Sequence, residues 1–369
     1  MSSAIHDRGR RRALAALGSF GLMLALDAWA EDNLPMNPAA GDPALDFVNA
    51  LPTYVPRKQV KGTVSLWGHG SFKRDFVGPL VQTWTAGLRR QQPAIDFDCR
   101  MYGTASAIDA LFTGAGNVAL LGEEISPAAA KAFQRSKGYA PTGIQIATGS
   151  LDVDFFDYAH MIFVHQDNPL AGLDLAQLDA VFGAEHRRGS RNARVWGDLG
   201  LDGEWARAPI QPYGWKIDED FALFFRGAVL EGSHRWNEVM LEYQHARRSD
   251  GSQYDRGQRI LDALAQDRFG IAISNVRYAT AQVRQVPLAR QAGQRFVKAS
   301  ITTLISQEYP LVRIIPAFVD KRPDGHVDPA VREFLRYILS REGQSALVAH
   351  SAYLPLGERQ IAAQLGSLA

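Results

Sequence analysis

Three short segments of this chain carry residue types suited to holding a small polar solute. Gly68-His69-Gly70-Ser71 and Gly103-Thr104-Ala105-Ser106 combine glycines, which let a backbone come close to a ligand, with hydroxyls that can donate to oxygen. The third runs from Tyr213 to Phe221 and reads Trp215-Lys216-Ile217-Asp218-Glu219-Asp220-Phe221, one cation against three acids. Gly122-Glu123-Glu124 adds two more carboxylates directly after the apolar run Val118–Leu121. The contacts expected from these loops are Gly70, Ser71 and Phe72; Thr104, Ala105 and Ser106; Glu123; and Trp215, Lys216, Glu219 and Asp220. Backbone N–H groups at helix starts favour an anion, whereas a carboxylate opposes one. At ~4 Å and an effective dielectric of ~20, each like-charge contact costs on the order of 4 kcal/mol. Lys73, Arg74 and Lys216 are the cations placed to offset this. A mixed-charge cleft of this kind suits a zwitterionic, cationic or neutral polar ligand at least as well as an inorganic oxyanion.

Each of these features also has a plainer explanation. A Gly/Ser turn with an N-cap needs no ligand, acids in a first helical turn favour the dipole while fully solvated, and aromatics such as Trp67, Phe72, Trp215 and Trp236 are as easily core as ligand-stacking groups. No signal for catalysis stands out: the chain contains no G-x-S-x-G, H-E-x-x-H or Walker pattern. Gly114-Ala115-Gly116-Asn117-Val118-Ala119 follows a helix and enters a strand, the reverse of a dinucleotide-binding context. His69 beside Ser71 invites a nucleophile reading, but no acidic residue is identifiable to orient the pair, and a ligand-contacting or turn histidine is the simpler assignment. The histidines are scattered and the only cysteine is Cys99, so no metal site, cofactor or intrachain disulfide is expected.

The elements that would position these loops follow from periodicity. Thr63–Trp67, Phe97–Met101 and Val118–Leu121 read as strands. They alternate with helices whose apolar faces are Phe76, Leu80, Val81, Trp84 and Leu88, and then Ile108, Leu111 and Phe112. Such alternation predicts a parallel α/β sheet with its crevice at the carboxyl ends of the strands. Ser126-Pro127 opens a helix ending at Gly138, and Met161–Val164 is a buried strand. Helices are also expected over 173–182, 221–230 and 260–265, with a strand over 269–274. Prolines 35, 38, 43, 52 and 56 make 31–60 read as an extended lead-in.

With 369 residues, 46% of them apolar, the chain exceeds the size at which single cores stop growing, roughly 250–300 residues. Residues 1–30 read as an export signal: Arg8, Arg10, Arg11 and Arg12, an apolar run Ala13–Leu26, and the processing site Ala28-Trp29-Ala30. The arginines ahead of an Ala/Gly-rich run are compatible with twin-arginine or general secretory export. Removing this segment takes four Arg and two Asp from a chain of net charge +1. The nearly neutral remainder offers nothing for nucleic acid or an anionic membrane. The processing site carries no cysteine, so a soluble periplasmic protein is expected rather than a lipid-tethered one.

Several phrases, in order, resemble the substrate-binding proteins of bacterial phosphate-type ABC importers: Asp167-Asn168-Pro169-Leu170, Trp196-Gly197-Asp198-Leu199-Gly200-Leu201, Tyr309-Pro310-Leu311, and the tail Ser340-Arg341-Glu342-Gly343-Gln344 with Tyr353-Leu354-Pro355-Leu356. The resemblance covers roughly Gly62 to Leu356. It implies an α/β, two-lobed periplasmic binding fold, with lobe 1 formed by 61–158 and 308–369, lobe 2 by 159–307, and a hinge near 158 and 308. It further implies a monomer that binds phosphate or another small polar solute, docks on permease subunits of the inner membrane and catalyses nothing. Two departures qualify the ligand. Relatives usually carry a basic residue and then Ser-Gly-Thr where this chain has Trp215–Phe221, and Ser and Arg or a single Asp where it has Gly122-Glu123-Glu124. A periplasmic sensor or interaction protein that has lost transport is the alternative these departures permit.

Export has its own signature. N-terminal sequencing of a periplasmic fraction is expected to find Glu31 or a residue within a few positions of it. Replacing Arg11 and Arg12 by Lys should retain the precursor if the route is twin-arginine. Full-length protein in the cytoplasm of the native host would contradict the reading.

Overall fold

The computed structural model describes residues 42–69, 77–122, 124–154 and 157–368. Two five-stranded mixed sheets, each flanked by helices, make up the molecule. The first is built from β1 (Gly62–Gly68), β2 (Ile95–Arg100), β3 (Val118–Leu120), β4 (Thr142–Thr148) and, from the far end of the chain, β14 (Ile314–Val319), in the order β2-β1-β3-β14-β4. β1, β2 and β3 run parallel, as the strand–helix alternation predicts, and β14 closes the sheet antiparallel to both β3 and β4.

The second sheet takes β5 (Met161–His165), β7 (Gln211–Trp215), β8 (Leu241–Tyr243), β11 (Gly270–Ser274) and β12 (Val283–Val286), in the order β12-β5-β11-β7-β8. Two-residue strands β6 (Leu173–Asp174) and β13 (Leu288–Ala289) pair beside it, and β9 (Ala246–Arg247) with β10 (Gln253–Tyr254) forms a small hairpin. β5 and β11 are almost wholly buried, apolar runs covered on both faces. Helix Pro127–Lys137 starts on a Ser126 cap and stops at Gly138 in the left-handed conformation, the cap chemistry its sequence carries.

The chain passes between the sheets twice, and the two passages are bonded to each other. Gly149 N donates to Arg313 O at 2.9 Å, His160 N to Leu311 O at 3.3 Å, and the Tyr309 hydroxyl to His160 O at 2.9 Å. Gly149 is required here, because a Cβ would lie 1.9 Å from the Asp157 carbonyl oxygen and 2.9 Å from Arg313 Cβ.

The segment 31–60, expected to be extended, contains a helix, Pro43–Asn49. Asp42 caps it through Ala44 N at 2.9 Å and Pro43 occupies its first turn, where a proline loses no hydrogen bond. Ala44 and Val48 are buried, and the helix lies against Ile301–Ile305 and Arg341–His350.

Gln344 joins the tail to the first sheet. Fully buried, it donates from Nε2 to Ile146 O at 3.0 Å and Ile338 O at 2.9 Å, and accepts from Leu356 N at 2.9 Å. Gln344→Leu is nearly isosteric but orphans all three backbone groups. At ~1–3 kcal/mol for an unsatisfied buried group, we expect a loss on the order of 3 kcal/mol or more in urea denaturation. A loss below ~1 kcal/mol would mean that water takes over the amide's bonds.

Candidate functional site

The carboxyl ends of β1, β2 and β3 draw three loops together. Gly103 N donates to Gly68 O at 2.7 Å and His69 N to Leu120 O at 2.8 Å. Gly68, at φ 126°, sits where a Cβ would meet Leu120 O at 2.0 Å. Thr104, Ala105 and Ser106 form the first turn of helix Thr104–Thr113, whose N-cap Gly103 brings no side chain. The Ser106 hydroxyl donates to Gly103 O at 2.9 Å, and Thr104 Oγ1 accepts from Gly122 N at 3.3 Å. Thr104 therefore keeps a hydroxyl proton to give. Gly70, Ser71, Phe72 and Glu123, with Lys73 and Arg74, lie outside the described residues.

From the second sheet, Trp215 ends β7 fully buried, with its ring centroid 4.5 Å from that of His160 and 5.5 Å from that of Phe221. It is core, the plainer of its two readings. Lys216 pairs with the exposed Asp218 at 3.2 Å. Glu219 is the N-cap residue of helix Asp220–Ala228 and forms a salt bridge with Arg256, the first residue of helix Arg256–Leu264. Burial pushes the Glu219 carboxyl up from its usual range, and Arg256 opposes that rise. Asp220 is exposed in the first turn, the solvated placement that favours the helix dipole.

A buried arginine outside the predicted loops bonds to several of these elements. Arg313, just before β14, is 2% exposed. Its Nε and Nη2 donate to the two oxygens of Glu124 at 2.8 and 2.7 Å, a bidentate pair. Nη2 also reaches Asp157 Oδ1 at 3.4 Å, and Nη1 reaches His160 Nε2 at 3.4 Å. Asp157 in turn accepts from the Tyr353 hydroxyl at 3.1 Å, and Tyr353 meets His69 Nε2 at 2.6 Å. A continuous polar chain thus runs from the β1 loop through the hinge to the β3 loop. Burial pulls the His69 pKa down to about 4 and that of His160 well below its usual value, the latter helped by Arg313. Both imidazoles are neutral at pH 7, and His69 shares a hydrogen bond with the Tyr353 hydroxyl.

The guanidinium groups of Arg256 and Arg313 lie 4.6 and 5.7 Å from the ring centroid of Phe221, and Arg313 lies 5.1 Å from that of Phe224. Both arginines thus gather on the first turns of one helix. The two guanidinium groups face three carboxylates, Glu124, Glu219 and Asp157. Of the carboxylates expected to repel an anion, Glu219 and Glu124 are thus each held by a buried or half-buried arginine, whereas Asp220 is exposed. Arg313 had a visible signal, as the only charge inside the apolar run Leu311–Val319. Arg256 had none, since it lies in a charged surface-like stretch. Among the described residues no group of three or more His, Cys, Asp or Glu is placed to hold a metal ion.

No family model matches the chain. It is 31% identical over 309 residues to the phosphate-binding protein PstS of Pseudomonas aeruginosa strain PAO1, which spans 83% of this chain and 87% of the relative. The protein of the same name from strain UCBPP-PA14 matches equally. Among solved structures, PstS from Borrelia burgdorferi superposes with a TM-score of 0.51 at 11% identity, covering 80% of this chain and 99% of its own. That likeness supports the two-lobed fold. The extent and identity of the Pseudomonas match establish that this chain belongs to the family of the phosphate-binding protein PstS.

Proposed function

We propose that this chain is an exported, monomeric solute-binding subunit of an ABC importer, which closes on phosphate or another small polar solute in the periplasm and presents it to permease subunits in the inner membrane. It performs no catalysis in this role. One observation carries the reading: in a relative of a phosphate-binding protein, Arg313 and Arg256 flank Phe221 where loops from both sheets converge. Two-lobed proteins of this kind grip ligand in that crevice. Freshly purified protein examined by native mass spectrometry should retain a small molecule, and co-purification with permease subunits should depend on the folded receptor. Absence of both would sink the reading.

The charge balance bears on which solute. Because both guanidinium groups already hold carboxylates, inorganic phosphate should bind the wild type weakly at pH 7. Glu219→Ser frees Arg256, and with Asp220→Gly and Phe221→Thr it restores a hydroxyl-bearing loop. Calorimetry on this triple variant should show phosphate affinity raised tenfold or more, at ~1.4 kcal/mol per decade. Submicromolar binding by the wild type with no gain in the variant would show that these acids do not govern the ligand.

A further inference from the structure

Arg313 is a buried cation whose bonding edge is already taken. Its Nε and Nη2 face both oxygens of one carboxylate, the geometry in which a guanidinium also receives a phosphate or a ligand carboxylate. The holder of that edge, Glu124, is on a loop at the carboxyl end of β3 and is 28% exposed, whereas Arg313 is 2% exposed. Glu124 therefore has a way out to water, and Arg313 has none. The arginine is fixed from behind by Asp157 and His160 and covered by Phe221 and Phe224, so an incoming anion can gain the bidentate edge only as Glu124 leaves it.

The ring cluster next to Arg313 also carries unsatisfied donors. His160 Nε2 faces Arg313 Nη1, and because a guanidinium only donates, the proton of this neutral imidazole belongs on Nδ1. That Nδ1 is buried without a partner, and so is Nε1 of the neighbouring Trp215. Two buried N–H donors in the rings around His160 are thus left unpaired, although buried donors are almost always satisfied.

We infer that Glu124 is a built-in competitor for the ligand: it occupies Arg313 in the manner of a bound oxyanion, and a small oxyanion binds by exchanging with it. The inference rests on the solute-binding reading above and adds to it the residue that sets affinity. A free phosphate and a small carboxylate share the required chemistry, so both serve as probes. In titration calorimetry Glu124→Gln, which keeps the side chain's shape but not its charge, should raise the affinity for inorganic phosphate, acetate or both at least tenfold. Glu124→Ala should do the same, and adding Arg313→Lys, which keeps the charge without the bidentate edge, should cancel the gain. Gain with phosphate alone identifies a phosphate site, and gain with acetate alone a carboxylate site. Affinities unchanged in both Glu124 variants, or a gain that survives Arg313→Lys, would overturn the inference.

A measurement on the unmutated protein guards against variants that do not fold. With 13C-carboxyl glutamate, saturating phosphate or acetate should shift the Glu124 resonance toward that of a solvated carboxylate, and saturation without such a shift would equally overturn it. A wild type that retains a solute while the Glu124 variants behave as wild type refutes this inference alone. Failure of every variant to bind either anion, with no solute retained, refutes the solute-binding reading as well.

Discussion

A guanidinium with almost no exposure to water has to be paired, since removing one partner of a buried ion pair typically costs ~3–5 kcal/mol. In this protein that requirement is met by carboxylates from two separate places, Glu124 on the β3 loop of the first sheet and Asp157 in the passage between sheets. Arg313 belongs to the second passage, and its backbone carbonyl accepts from Gly149 in the first. One residue therefore ties together the loop rim of one lobe, both strands of the hinge and, through Phe221 and Phe224, a helix of the other lobe. The remainder of the polar chain, from Asp157 to Tyr353 to His69, hangs from that pairing.

Membership of the PstS family and loops rich in carboxylates are compatible once the pairing is explicit. Glu219 salt-bridges Arg256 across two helix starts, Glu124 holds Arg313, and Asp220 is solvated. Two acids of the divergent loops, Glu219 and Glu124, thus satisfy cations that lie elsewhere in the chain. Trp215, a candidate for stacking on a solute, packs fully buried with His160 and Phe221.

The scaffold was readable because its signals are local. Strand–helix alternation anticipated the parallel β1, β2 and β3, and the Ser126 and Gly138 caps bounded a helix to within a residue. The site was only partly readable, because ion pairs between residues far apart in sequence leave no local trace: Glu124 and Arg313 are 189 positions apart, Glu219 and Arg256 37. Lys216, one of the three cations expected to offset the acids, instead faces Asp218 at the surface. The helix Pro43–Asn49 was hidden by the prolines around it, one of which begins it.

That short helix has a mechanical consequence. It rests on Ile301–Ile305, just ahead of the return passage, and on Arg341–His350, which packs against the first sheet's helices, with Ala44 and Val48 buried between them. It acts as a shim wedged beside the hinge pin. A rotation that parted these two supports would have to slide Ala44 and Val48 over one of them, so seven residues that belong to neither sheet would resist it.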